Sequence, residues 1–355
     1  MSIDLLEVNG VKCSSIASGI KKKNDLDLSL ISLIEGTQTA AVFTQNIFCA
    51  APVTVAKNHL NSNVKALIIN SGNANAGTGQ KGLEICLETC EIFAGKLGIE
   101  SDQILPFSTG VIGELLPLDP FEKNTKKLVD GLSSSNMSMV AKGILTTDLV
   151  EKYYSKTFEF DGKVVTLSGV AKGSGMIRPD MATMLSFIVT DVGASKQELQ
   201  DCLDIAVNQS FNRITVDGDT STNDACTLSA TNQSSVQLNQ CKENFQKALN
   251  EITKTLAKMI VKDGEGATKF VQIKVGGLSS NEGCLEVAYT VAHSPLVKTA
   301  LFASDANWGR ILAAVGRSKV DGISIENIDI FLNDLQIISS GKISKNYTEA
   351  GGSAE

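Results

Sequence analysis

A layered α/β architecture is predicted by three features of this 355-residue sequence: apolar β-branched runs of strand length, amphipathic stretches of helical period between them, and no internal repeat. In chain order, Val64 to Asn70 is an apolar strand run. Lys81 to Leu97 follows as a helix, with apolar residues at 83, 86, 87, 90, 93 and 97. Lys163 to Val170 and Thr183 to Thr190 are strands, the second a nearly unbroken apolar run that implies burial. Gln197 to Phe211 and Lys242 to Val261 are helices, the latter with Phe245, Leu249, Ile252, Leu256 and Met259 on one face. Phe270 to Val275 returns to strand, and Glu282 to Val297 to helix. The Gly/Ser-rich loop Gly276 to Gly283 places a boundary between residues 1–275 and 276–355.

Composition bounds what such a fold can do. With 43% hydrophobic and 20% charged residues, the sequence has the balance of a soluble globular protein. Net charge is −7, and no basic block stands out beyond Lys21-Lys22-Lys23, so nucleic acid is excluded as a partner. No apolar run approaches the ~20 residues of a membrane span. The acidic N-terminus, Met1 to Glu7, carries neither a secretory nor an import signal, and a cytoplasmic location is expected. Eight cysteines are scattered along the chain. Cys86 and Cys90 share one helix face without a second ligand pair nearby, which reads as core thiols and not as a metal site.

Two glycine- or aspartate-rich segments invite specific readings. Gly77-Thr78-Gly79-Gln80-Lys81-Gly82 fits the dinucleotide fingerprint G-x-G-x-x-G. The preceding strand run, however, ends near Asn70, too early for a pyrophosphate to meet the helix N-terminus. A loop bordering a small-molecule pocket fits better. Asp217 to Asp224 resembles a calcium loop, but its sixth position is Thr222 and its twelfth Leu228, where glycine and glutamate are needed. It is read as a turn dense in side-chain-to-backbone hydrogen bonds.

The most informative stretch is Lys172 to Leu185, KGSGMIRPDMATML, a Gly/Pro loop that runs straight into a core strand at Thr183. A threonine so presented becomes a nucleophile without histidine when its own amine is free to act as base. The chain has only two histidines, which suits that chemistry. This segment resembles the self-cleavage segment of the ornithine acetyltransferase family, whose bifunctional members also act as glutamate N-acetyltransferases. The resemblance extends in order through Asn70 to Ala76, Ser108 to Gly113, Thr146-Thr147-Asp148, Phe211 to Asp224, Asp263 to Phe270 and Asn307 to Ile311.

The resemblance implies a layered α/β sandwich with a smaller C-terminal α/β domain, and transfer of acetyl from N-acetyl-L-ornithine to L-glutamate. It implies cleavage between Ala182 and Thr183, with Thr183 then the nucleophile. Thr109 and Gly110, on what the sequence presents as a turn after Pro106, become the oxyanion hole. Thr146, Lys172, Thr183 and Glu265 become the substrate-binding groups: one cation, one anion and hydroxyl donors suit an α-amino acid with an ammonium side chain. No metal or redox cofactor is implied, and acetyl-CoA is a second donor only in bifunctional members. The two cleavage products are expected to assemble as an α2β2 heterotetramer. Two departures qualify these expectations. Asp180 stands where the family usually has asparagine, and family chains run several dozen residues further, ending in a segment whose asparagine and threonine bind substrate, so the C-terminal domain 276–355 reads as shortened. A self-processing amidase or aminopeptidase that hands its acyl group to water, and a truncated inactive homologue, are the alternatives.

Overall fold

The computed structural model describes residues 5–22, 24–178 and 184–354. The chain forms two compact units, Met1–Glu265 and Gly266–Glu355. In the first, the elements in order are β1 (Val11–Ile16), β2 (Leu28–Leu33), β3 (Gln38–Phe43), α1 (Ala51–His59), β4 (Ala66–Asn73), α2 (Gly79–Leu97), β5 (Ile104–Val111), α3 (Asp119–Asp130) and α4 (Met137–Gly143). They continue with β6 (Lys152–Phe160), β7 (Lys163–Lys172), β8 (Leu185–Thr190), α5 (Lys196–Asn208), β9 (Ala225–Ala230) and α6 (Lys242–Lys262).

Two sheets result. One has the order β1-β2-β4-β5 and the other β3-β9-β8-β7-β6. Most neighbours are antiparallel, but β4 runs parallel to β5 and β8 parallel to β9. The sheets face each other across a core in which Ile31, Leu67, Leu105 and Phe107 meet Val170, Leu185, Phe187 and Val189. Behind the first sheet, Leu30, Ile68 and Ile104 pack on Cys86, Cys90 and Phe93 of α2 and on Phe121 of α3. Behind the second, Val165, Leu167, Ile188 and Leu228 pack on Leu199 and Leu203 of α5 and on Phe245, Leu249, Ile252 and Leu256 of α6. The unit is therefore a four-layer sandwich of helices, sheet, sheet and helices.

Each layer follows from local sequence. Every residue of β8 is buried, because its odd-numbered side chains enter the inter-sheet core and Ile188 enters the helix layer. That two-sided burial is why the strand reads as a continuous apolar run. α5 starts at a capping box in which Ser195 and Glu198 satisfy each other's backbone N–H. α2 ends at Gly98 in the left-handed conformation, φ 69°. The thiols of Cys86 and Cys90 lie in the core behind the first sheet, and burial pushes the Cys90 thiol up to about 12.

Three expectations need correction. Ser108-Thr109-Gly110 is the end of strand β5, not a turn. Pro106 is tolerated there because β5 is an edge strand, with one side free of the ladder. Phe270 to Val275 is irregular, and among the described residues it joins no ladder. Its Ile273 instead packs on the small core of Val291, Val297 and Ala314. The long helix expected over Glu282 to Val297 is two helices, because Pro295 cannot continue the first and the Ser294 hydroxyl caps the second. That second unit comprises α7 (Asn281–Ala292), α8 (Pro295–Phe302), α9 (Trp308–Gly316), the sheet β10 (Ile330–Leu332), β11 (Leu335–Ser339) and β12 (Lys342–Ile343), and α10 (Glu349–Ala354).

Phe187 of β8 and Phe107 of β5 meet edge-to-face across the sheets at 5.1 Å. Phe187→Ala should cost about 3–5 kcal/mol of stability, measured by denaturant unfolding. A loss below ~1 kcal/mol would mean that the inter-sheet core re-closes around the gap.

Candidate active site

The strand ends at one edge of the sandwich gather a polar cluster around Lys172, the last residue of β7. Lys172 is buried at 5% exposure and pairs with Leu185 of β8. Its Nζ donates to Thr109 Oγ1 at 2.9 Å and to Thr146 Oγ1 at 3.2 Å. An ammonium has only hydrogens to offer, so Thr109 accepts from it through a lone pair. The Thr109 hydroxyl hydrogen therefore stays available to a further acceptor. Beside it, Gly110 has φ +136°, and a Cβ there would lie 2.3 Å from the Gly72 carbonyl carbon. Only glycine fits this close approach of β5 to β4.

A lysine buried among neutral hydroxyls needs counter-charge. Burial, the largest influence, pushes the Lys172 pKa below the usual lysine range, opposed chiefly by Asp148 and then Asp224. Asp148 is fixed from three sides. Its Oδ1 accepts from Lys152 Nζ at 2.7 Å and from the Gly173 N–H at 2.7 Å, and its Oδ2 from the Thr146 N–H at 3.1 Å. Burial alone would raise the Asp148 carboxyl, but Lys172, Lys152 and these bonds hold it below the ordinary carboxylate value. Lys152, wholly buried, also reaches Asp263 Oδ2 at 2.6 Å, and Asp263 takes the Leu149 N–H at 3.1 Å.

Around this centre, Thr147 Oγ1 and Ser174 Oγ share a hydrogen bond at 2.7 Å. Glu265 donates its N–H to the Ser174 carbonyl at 2.8 Å, and a Cβ on Gly175 would come within 2.8 Å of its Oε1. Asn223 Nδ2 donates to the carbonyls of Ala74 and Ser108 at 2.7 and 2.9 Å, tying the approach to β9 to the end of β5. The stem of Lys21 passes over Gly72, its Cγ 3.1 Å from where a Cβ would stand.

Of the sequence-predicted residues, Thr109, Gly110, Thr146, Lys172 and Glu265 are brought to this one region. Ala182 and Thr183 lie outside the described residues, and so does Asp180. Thr109 is buried at 7% exposure, where a turn position would have been open. Sequence reading did not single out Lys152 or Asn223. Lys152 follows an ordinary-looking Leu149-Val150-Glu151, with no local signal of burial. Asn223 sat in a segment read only as a turn. In the glycine loop, β4 runs on to Asn73, and Gly82 is required because a Cβ would come 1.8 Å from Thr78 Oγ1. Asn75 Nδ2 donates to the Gly82 carbonyl at 3.0 Å, so this glycine serves packing within the loop.

The first unit is thus a four-layer α/β sandwich with a buried lysine held between two threonine hydroxyls at its strand ends. The ArgJ family profile matches residues 12–354. The arginine biosynthesis bifunctional protein ArgJ of Pseudomonas syringae pv. tomato is 47% identical over 352 residues, 98% of this chain and 87% of that protein. Its counterparts in Pseudomonas fluorescens and Methylococcus capsulatus are each 48% identical, covering 98% and 99% of this chain and 87% of their own lengths. The chain belongs to the ArgJ family.

Lys152→Met should leave Asp148 and Asp263 buried without their shared cation and cost about 3–5 kcal/mol. Denaturant unfolding measures this. A change under ~1 kcal/mol would mean that water or another cation replaces the ammonium.

Proposed function

We propose that this chain moves the acetyl group of N-acetyl-L-ornithine to L-glutamate through an ester on Thr183. The observation that carries the reading is Lys172 linking the Thr109 and Thr146 hydroxyls, in a chain matched by the ArgJ family over nearly its whole length. The precursor first cuts itself. Thr183 Oγ attacks the Ala182 carbonyl carbon, the bond from that carbon to the Thr183 nitrogen breaks, and the hydroxyl proton ends on the new amine. Water then hydrolyses the ester, leaving an Ala182 carboxylate and a free Thr183. Its amine, with an ordinary pKa of ~7.7–8.0, serves as base at neutral pH.

In turnover, that amine takes the Oγ proton as Oγ attacks the acetyl carbonyl. Thr109 O–H and the Gly110 N–H hold the oxyanion, and the proton passes to the departing ornithine nitrogen. Glutamate enters the same pocket, and its amine takes the acetyl group from the ester. Lys172 binds the substrate α-carboxylate, Thr146 supports it with its hydroxyl, and Glu265 takes the side-chain ammonium of ornithine. Acetyl-CoA is a second acetyl donor if the chain is bifunctional, as the names of its relatives describe them. The cut pieces, 1–182 and 183–355, assemble as α2β2 in the cytoplasm.

Two outcomes test this. Thr183→Ala should yield a single uncut and inactive chain by intact mass, whereas the wild type yields two pieces. A wild type of intact mass after prolonged incubation would refute the scheme. Thr109→Ala should lower kcat by roughly two to three powers of ten, with circular dichroism and melting checked because the residue is buried. Unchanged kinetics would move the oxyanion hole elsewhere.

The pH profile gives a separate handle. Lys172 must be charged to bind a carboxylate, and its charge is lost as pH rises through its lowered pKa. Activity should therefore fall on the alkaline side before the ordinary lysine value of 10.5 is reached. Asp148→Asn removes the chief opposing charge and should move that fall to still lower pH. An alkaline limb in the same place for both proteins would dismiss Asp148 as the keeper of the Lys172 charge.

A further inference from the structure

Residues Thr215 to Asp219, in the loop before β9, take no part in the acetyl-transfer scheme, yet they grip the chain just ahead of residues 178–183, and Ala225 at the start of β9 grips it just after. Upstream, the Asp217 carboxylate accepts the Met176 N–H through one oxygen and the Ile177 N–H through the other, the latter at 2.9 Å. The same Oδ1 takes the Asp219 N–H at 3.0 Å, which shapes the loop itself. Two further bonds lock the Ile177 carbonyl, from the Val216 N–H and from the Thr215 hydroxyl, each at 2.9 Å. Downstream, the Ala225 N–H holds the Met184 carbonyl at 3.1 Å, and Ala225 pairs with Leu185 in the parallel ladder. One short stretch, residues 215–225, thus holds the chain at residues 176–177 and again at 184–185.

The upstream grip also holds an unfavourable backbone state. Met176 has φ +56°, the left-handed region that a bulky L side chain enters only at a cost. Two amide bonds to one carboxylate are charge-assisted and geometrically specific, which is what a conformation of that kind needs to persist. Ile177 is buried in the helix-layer core, so the residue next to the strained one cannot drift. None of these contacts reaches Lys172, Thr109 or Thr146.

We propose that Asp217 is a positioning residue for self-cleavage: its clamp on Met176 and Ile177 is what lets the chain cut itself before Thr183 at full rate. The proposal rests on the cleavage reading of Thr183. The step it serves is the shift of the Ala182 acyl carbon from nitrogen to oxygen, followed by ester hydrolysis by water, as balanced above. Once the bond is cut, the clamp holds only the tail of the first piece, and acetyl transfer proceeds without it.

The test is a time course of cutting in freshly made full-length chain, followed by intact mass, with transfer kinetics then measured per cut chain. Asp217→Ala should slow the appearance of the two pieces by about tenfold or more, the loss expected for charge-assisted bonds. Asp217→Asn, which keeps one acceptor oxygen and the side-chain shape, should cut at an intermediate rate. In both variants kcat and KM per cut chain, and the melting temperature of the cut protein, should match the wild type. Cutting at the wild-type rate in Asp217→Ala would overturn the proposal. So would a parallel drop in kcat and melting temperature per cut chain, since that marks a general structural role. If Asp217→Ala does not fold, the cutting rate of Asp217→Asn decides between the same outcomes. A wild type that never cuts defeats the cleavage reading itself, whereas a wild type that cuts beside an equally fast Asp217→Ala defeats only the clamp.

Discussion

Burying an ammonium away from water is costly unless opposite charge is built in alongside it, and that requirement organises one whole edge of this sandwich. Lys172 has hydroxyls for direct partners, so its charge balance comes from Asp148 one step further out. Asp148 in turn is held by Lys152, which is shared with Asp263 at the end of α6. The chain of charges therefore runs from the candidate site through a buried triad to the helix layer. Because Asp148 also accepts the Gly173 N–H, the same carboxylate fixes the turn by which the chain leaves β7. Electrostatics and backbone geometry are here one constraint.

The close approach of β4 and β5 is the steric counterpart. Gly110 brings its backbone against Gly72 and Asn73, while Asn223 bridges the residue before Thr109 to the loop after β4. Thr109 is thereby fixed by three independent elements: its own edge strand, the lysine at the end of β7, and the asparagine that leads into β9. A hydrogen-bond donor for an oxyanion acts best when it needs no reorganisation during reaction, and in the role proposed for it Thr109 would meet that condition.

The parts of the fold with one dominant periodicity were legible in the sequence. β8 and α6 declared themselves, the first by two-sided burial and the second by a clean apolar face that packs as read. β5 did not, because proline and Ser-Thr-Gly look like turn chemistry and only its edge position makes them acceptable in a strand. Phe270 to Val275 erred the other way: an apolar run of the right length, with packing partners but no ladder. At the site, Thr109, Thr146 and Lys172 come from three distant segments, and no spacing rule joins them. Resemblance to a family grouped them, and the folded chain gives the hydrogen bonds. Lys152 had no signal at all, since its second carboxylate lies 111 residues away. Asp217 was visible as a residue of a dense turn, but its partners at 176 and 177 were not.

The strand order of the second sheet has a consequence for how the protein is made. β8 and β9 follow Thr183 in the chain, yet they are flanked by β7 on one side and by β3 on the other, both from before it. While the polypeptide is continuous, inserting that pair between its neighbours is an intramolecular search. After a break ahead of Thr183, the same insertion needs two molecules to find each other, and its rate depends on their concentration. Synthesis as one chain thus gives the sheet a first-order route to assembly, and a chain unfolded after such a break would lose that route.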